Sequence, residues 1–190
     1  MNKIKFALLI VGFATSTAAL ADNTGFFLGA TLGKAEAAKA DACLDPNIQC
    51  DRKDQSWTGN AGYMFTPNWG GEVAYHYLGR VVDQNDGAGL QSYAKSRAGS
   101  VSLVAAFPIE KFSLYGKFGG YRAKTDVTSS YLTEGSSKNN GWVYGFGIRW
   151  DVFSHLALRA EMLRFNSIGG GAVGFRTDVN TMTGGVLLTF

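Results

Sequence analysis

No stretch of this sequence is apolar for long enough to cross a membrane as a helix, which needs roughly 20 residues. The run from Phe6 to Phe13 falls well short of that, and no other segment suffices. A helical anchor in the mature protein is thereby excluded. Proline is scarce, with 3 in the chain, and each stands where a sheet would lose no hydrogen-bond donor: Pro67 and Pro108 between candidate strands, Pro46 in a candidate loop. Cysteine is rarer still. Cys43 and Cys50 lie in the polar segment Ala42 to Asp54, with no nearby histidine for metal binding and no CxxC spacing for redox chemistry. Charge of either sign is nearly balanced, at 18 basic against 15 acidic residues or +3 overall, and this gives nucleic-acid binding no support.

What is present begins with a leader. Lys3 and Lys5, the apolar run, and then Thr15, Ser16 and Thr17 before Ala19-Leu20-Ala21 make a secretory signal peptide, cleaved after about Ala21. Residues 1–21 are then the signal and residues 22–190 a single exported domain. Asp22 rather than a cysteine would be the first mature residue, which argues against a lipid anchor. The leader removes two lysines and no acid, so the exported part carries +1. In an oxidising compartment Cys43 and Cys50 are expected to form a loop disulfide, worth roughly 2–3 kcal/mol in the chain-entropy model.

Glycine is abundant at 25 residues and aromatics make up 13%. These are arranged with period two. The clearest segment alternates Trp142, Tyr144, Phe146, Ile148, Trp150 and Val152 with Val143, Gly145, Gly147, Arg149 and Asp151, and the last alternates Met182, Gly184, Val186, Leu188 and Phe190 with residues that are mostly small or polar. Eight such segments occur, near residues 26–33, 57–65, 69–78, 100–107, 112–121, 142–152, 156–162 and 181–190. They are joined alternately by short turns (Thr66-Pro67-Asn68, Pro108 to Lys111, Phe153-Ser154) and by long polar stretches (Lys34 to Asp54, Val81 to Lys95, Asp126 to Asn140, Asn166 to Thr177). An even strand count with alternating connection lengths points to an all-β fold, an eight-stranded antiparallel up-and-down transmembrane β-barrel with long loops outside the cell. A soluble sandwich would alternate too, but its turns would not alternate in length so regularly.

The same parity turns Glu72, Lys117, Arg149, Arg159 and Glu161 into the barrel. All five lie near a periplasmic turn, in a band on the order of 8 Å high at a rise of about 3.3 Å per residue. Buried ions that fail to pair cost several kcal/mol each, so Glu72 is expected to meet Arg149 or Arg159. Three cations against two anions leave one positive charge, for which Asp151 is the available partner. An eight-stranded interior is only wide enough for side chains to fill, which favours an ion-paired plug over a permeation path.

Enzymatic chemistry finds no suitable group. His76 is expected to face inward among Ala74 and Leu78, and His155 lies beside a periplasmic turn; neither is near the outer leaflet, where a lipid-modifying base belongs. Gly169-Gly170-Gly171 opens no helix and so cradles no phosphate. Aromatic and basic residues alternate faces in the Trp142–Trp150 segment, which fits girdle aromatics rather than base stacking. Arg122 and Arg164 fall on outward parity near the outer end, as snorkelling rim residues or contacts to lipopolysaccharide phosphates. No cofactor and no metal is expected.

Several segments resemble, in order, the transmembrane domain of the outer membrane protein A family: Gly71-Glu72-Val73-Ala74-Tyr75-His76-Tyr77-Leu78-Gly79-Arg80, then Leu114-Tyr115-Gly116-Lys117-Phe118-Gly119-Gly120, Ala157-Leu158-Arg159-Ala160-Glu161, and Gly185-Val186-Leu187-Leu188-Thr189-Phe190. The resemblance covers essentially residues 22–190. It implies a barrel of the bacterial outer membrane, reached through the periplasm with chaperones and inserted by the assembly machinery that recognises a terminal aromatic, here Phe190. It implies paired interior charges at Glu72, Lys117, Arg159 and Glu161. Val104 stands where the family usually has lysine and Arg149 where it usually has glutamate, so gating is not carried over. With Phe190 last, no peptidoglycan-binding domain is expected. The function expected is structural and surface-exposed, in contact with outer-membrane lipid and lipopolysaccharide; the alternatives are an adhesin binding a host-surface ligand or serum factor through its loops, and a narrow solute pore.

Overall fold

The computed structural model describes residues 24–38, 49–51, 53–85, 91–129, 135–170 and 175–190. The expected leader lies outside these, and so does the Cys43–Cys50 pairing, because Cys43 is not among them. The strands are β1 (Gly25–Ala37), β2 (Gln49–Asp51), β3 (Lys53–Met64), β4 (Trp69–Asn85), β5 (Gln91–Ile109), β6 (Phe112–Ser129), β7 (Gly135–Phe153), β8 (Leu156–Gly170) and β9 (Phe175–Thr189). All pairings are antiparallel. From β3 to β9 each strand pairs with the next, while β1 pairs with β3 on one side and β9 on the other, which closes an eight-stranded barrel. The short β2 lies against the outer end of β4, Gln49 opposite Asn85.

Closure follows from the solvent. Backbone groups in hydrocarbon have no water to bond, so a sheet that crosses a membrane must leave no open edge. The outward side chains match this environment: Leu32 is 72% exposed, Val101 66% and Phe146 65%, an array no water-facing surface of this size would tolerate. Aromatic rings cluster at the two ends of this belt. Phe112–Trp150 (5.8 Å between ring centroids) and Phe26–Tyr63 (4.7 Å) ring the end that carries the tight turns; Phe118–Trp142 (5.4 Å) and Trp57–Tyr77 (6.1 Å) ring the other. Such girdles mark the membrane interfaces, and short turns mark the periplasmic side.

Two features differ from the sequence-based expectation. Most of the polar stretches assigned to outer loops are ladder: β4 runs to Asn85 and β5 starts at Gln91, β6 runs to Ser129 and β7 starts at Gly135, β8 runs to Gly170 and β9 starts at Phe175. The hydropathy alternation stops where lipid stops, but the hydrogen-bond ladder does not need lipid and continues. Pro108 also lies within a strand, opposite Ser113 near the end of β5. Ala106 N–H donates to Asn68 O on the β4 side (2.7 Å). Pro108 has the same parity, and β4 does not extend opposite it, so its missing N–H breaks no ladder bond.

Gly79 allows β4 to change face. The β4–β5 register shifts between Tyr77 and Gly79, Gly79 has φ +68°, and Asp54 Oδ2 accepts the next amide, Arg80 N, at 2.7 Å. This glycine bulge moves Arg80, an even-numbered residue on a strand whose odd residues face out, to the exposed side. A Cβ at position 79 would stand 2.6 Å from Gln55 O. Gly79→Ala should therefore lower the unfolding free energy of the refolded barrel by at least about 1–2 kcal/mol, the penalty of a left-handed non-glycine residue, measured by urea titration in lipid vesicles; an unchanged midpoint would contradict a required bulge.

Candidate functional site

Inward parity brings four of the five expected charges together at mid-barrel. Glu72 on β4, Lys117 on β6 and Arg159 and Glu161 on β8 form one network, with each side chain no more than 4% exposed. Glu72 accepts hydrogen bonds from Lys117, from Arg159 Nη1 (2.9 Å) and from Asn60 Nδ2 (3.0 Å). Glu161 accepts from Lys117 Nζ (2.6 Å), from Arg159 Nη2 and from the Tyr115 hydroxyl (3.1 Å). Arg159 Nε in turn donates to that hydroxyl at 2.6 Å, with the guanidinium 5.0 Å from the Tyr115 ring centroid. Two anions and two cations leave no net charge in the network. Burial of an ion is repaid only when partners and extra hydrogen bonds surround it, and both conditions are met here.

Arg149 is the exception. Its side chain pairs with Asp151 two residues along β7, at 2.6 Å, and is partly exposed toward the periplasmic rim. The expected cluster of five is thus a cluster of four with a separate pair below it, because Asp151 on the same face lies closer than either buried carboxylate. Parity reveals which face a residue takes but not which of two neighbours it meets. Tyr115 and Asn60 join the network without having been singled out; their inward parity was the available signal.

Apolar layers seal the network on both sides. Toward the periplasm lie Phe27, Met64, Val104, Tyr115, Ala157 and Leu187, all buried. Val104 is part of this layer. On this side of the ions a cavity of about 40 Å³ is lined by residues of that layer together with Glu72, Arg149 and Arg159, room for a water or two. Toward the cell exterior, Leu78, Tyr121, Val143, Phe165, Ile168 and Val179 pack together. His76 bridges the two regions: its ring nitrogens lie 2.9 Å from Thr58 Oγ1 and 2.9 Å from Ser100 Oγ, and its ring meets Phe165 edge-on. Higher up, the Tyr121 hydroxyl donates to Asn166 O, and Ser96 and Thr125 share a hydrogen bond of 2.9 Å. At the periplasmic rim, His155 Nδ1 lies 3.0 Å from Thr189 O and Phe190 N–H donates to Phe26 O (2.9 Å), leaving the Phe190 ring exposed. On the outer rim, Arg164 is held by Asp178 at 2.7 Å, and Arg122 is exposed.

Residues 21–190 match the OmpA-like transmembrane domain. The chain is 27% identical over 193 residues to outer membrane protein A of Klebsiella aerogenes, an alignment that takes in 98% of this chain and 54% of that protein. With outer membrane protein A of Salmonella typhi it shares 29% over 197 residues, again with 98% and 54% covered. The chain spans about half the length of the curated relatives it matches. Among solved structures, Neisserial surface protein A superposes with a TM-score of 0.64 at 17% identity, covering 87% of this chain and 97% of that one. OprG of Pseudomonas aeruginosa gives 0.60 at 16%, covering 87% and 95%. Ail, the attachment invasion locus protein of Yersinia pestis, solved in complex with the heparin analogue sucrose octasulfate, gives 0.53 at 15%, covering 87% and 99%. At these identities the likeness is one of fold.

Glu72→Ala leaves Lys117 and Arg159 sharing one carboxylate, and Arg159→Ala leaves two carboxylates on one lysine. Each variant should lose roughly 3–5 kcal/mol of unfolding free energy, as when one partner of a buried pair is removed, in urea titrations of vesicle-refolded barrel. Arg149→Ala should lose less than half as much. Unchanged midpoints in both network variants would sink the structural role of the four charges.

Proposed function

The chain belongs to the OmpA-like transmembrane domain family, barrels of the bacterial outer membrane, and from that premise we propose that it serves there as a structural surface protein with a closed lumen. The observation that carries this reading is the neutral four-charge network between two apolar layers. An ion entering from either side would first have to leave water in an apolar layer and would then find every buried charge already paired, so no low-energy path runs along the axis. Transport through a narrow pore is accordingly the weaker reading. Catalysis is also disfavoured, since His76 is buried among Thr58, Ser100 and Phe165 and is open to neither lipid nor bulk water. The exposed ring of Phe190 at the periplasmic rim suits a role as the aromatic signal for assembly. Reconstituted in planar lipid bilayers, the purified barrel should show no steady single-channel current, and large reproducible channels would overturn the closed-lumen reading.

A second reading is favoured by one feature. The ladder rises past the outer aromatic girdle on four strand pairs, β4–β5, β5–β6, β6–β7 and β8–β9, giving a stiff stalk that presents its tips away from the lipid. Such a stalk suits adhesion to a host surface or a serum factor, and the similarly folded Ail is an attachment protein by name. Removing residues 126–140 should abolish binding to host cells while the barrel still migrates differently on gels before and after boiling; retained binding would argue against adhesion through that tip.

A further inference from the structure

The outer wall is electrically lopsided. On β4 to β7 the outward residues just above the apolar belt are Arg80, Lys95, Arg97, Arg122, Lys124 and Lys138, all exposed or partly so. They are neighbours across the sheet: Arg80 opposite Lys95, Arg97 opposite Lys124, and Lys124 opposite Lys138. Arg80 and Lys95 both stand over the Tyr93 ring, 4.9 Å and 5.1 Å from its centroid. The Asp126 carboxylate is bonded to two of them, Arg97 (2.8 Å) and Lys124 (3.0 Å). The Lys124 hydrogen bond is the largest reason that its carboxyl is held down at about 2, so it stays charged at physiological pH. The opposite wall carries Lys34, Lys53, Arg164 and Arg176 against Glu36 and Asp178, with Lys53–Glu36 at 3.4 Å and Arg164–Asp178 at 2.7 Å. Leaving Arg80 aside, five cations and one anion among the described side chains of this wall stand against four and two on the other.

Position along each strand sets the level of this face. On β5 the outward order is Leu103, Val101, Gly99, Arg97, Lys95; on β6 it is Phe118, Gly120, Arg122, Lys124; on β7 it is Tyr144, Trp142, Asn140, Lys138. The cations begin one or two outward steps above the last apolar residue or glycine. One step of two residues climbs about 5 Å in a strand tilted by roughly 40°, which puts them at the headgroup level of the outer leaflet. Across four strands the patch is on the order of 15 Å wide. Directly beneath it the outward Gly99 carries no side chain and has nothing within 4 Å of where a Cβ would stand, so the wall there is open to acyl chains.

We propose that the β4–β7 face is a docking site for the phosphates of lipid A, the phosphorylated glycolipid of the outer leaflet, with the acyl chains lying against the wall beneath. The occupant is argued from charge and height together: a soluble polyanion would be met at the strand tips, whereas these cations lie at the lipid interface. The inference deepens the structural reading by naming a lipid partner, and rests on its orientation of the barrel in the membrane.

The test is titration of detergent-solubilised barrel with bis-phosphoryl lipid A and with the same lipid stripped of phosphate, read as bound lipid by native mass spectrometry. R122E/K138E inverts two charges on the proposed face; K34E/R176E inverts two on the other wall with the same change in net charge. The first should weaken binding of the phosphorylated lipid by about tenfold or more, given the attraction of each cation near an anionic surface; the second should leave it within about twofold. Both should keep the gel-mobility shift of a folded barrel. Equal losses in the two variants, undiminished binding in the first, or equal binding of the phosphate-free lipid would overturn the proposal. So would binding of soluble heparin through Arg122 and Lys138 without binding of lipid A. Neither double variant touches the lumen, so failure here leaves the conductance result to judge the structural reading.

Discussion

Satisfaction of the backbone in hydrocarbon is the constraint on which this structure depends. An amide left unpaired in lipid costs several kcal/mol, and the sheet answers by pairing β1 with both β3 and β9. Once the sheet is closed, each residue is committed to lipid or lumen by its parity alone. The aromatic girdles, the apolar belt and the buried ions are consequences of that commitment. Above the lipid the same ladder continues without the constraint, since water would satisfy those groups as well, and there the side chains become polar on the outer face.

The lumen answers a second problem that closure creates. Half of the side chains point into a space too narrow for bulk water, so polar residues there must satisfy one another. Glu72, Lys117, Arg159 and Glu161 do this as a neutral set, with Tyr115 and Asn60 taking up remaining hydrogen-bonding capacity. Arg149 shows the limit of the arrangement: a third cation on this level would break neutrality, and it is neutralised instead by Asp151 nearer the periplasmic water. The apolar layers above and below raise the stakes for the network by removing solvent from it.

Much of this was legible in the residues. Alternation identified the outward and inward members of all eight barrel strands, because a period of two is the direct signature of a wall with two different solvents. It failed to mark the strand ends, since hydropathy reports the lipid boundary and β4 to β9 run beyond it. Nor can it be carried past Tyr77 to Arg80, where the Gly79 bulge inserts an extra residue and reverses parity. The cationic face is hidden for a related reason: Arg97, Lys124 and Lys138 lie far apart in sequence and beyond the ends of the alternating segments, and only strand pairing sets them side by side.

By itself, then, the sequence determined the class of fold, the membrane and the list of residues that face inward, because each of these depends on local periodicity and composition. Tertiary structure decided the rest: that Glu72 meets Lys117 and Arg159 across the lumen, that Arg149 turns to Asp151, and that the outer cations gather on one wall. The physical reason is that ion pairs form over a few ångströms, and distances of that kind between residues 45 or 87 positions apart exist only once the sheet has closed.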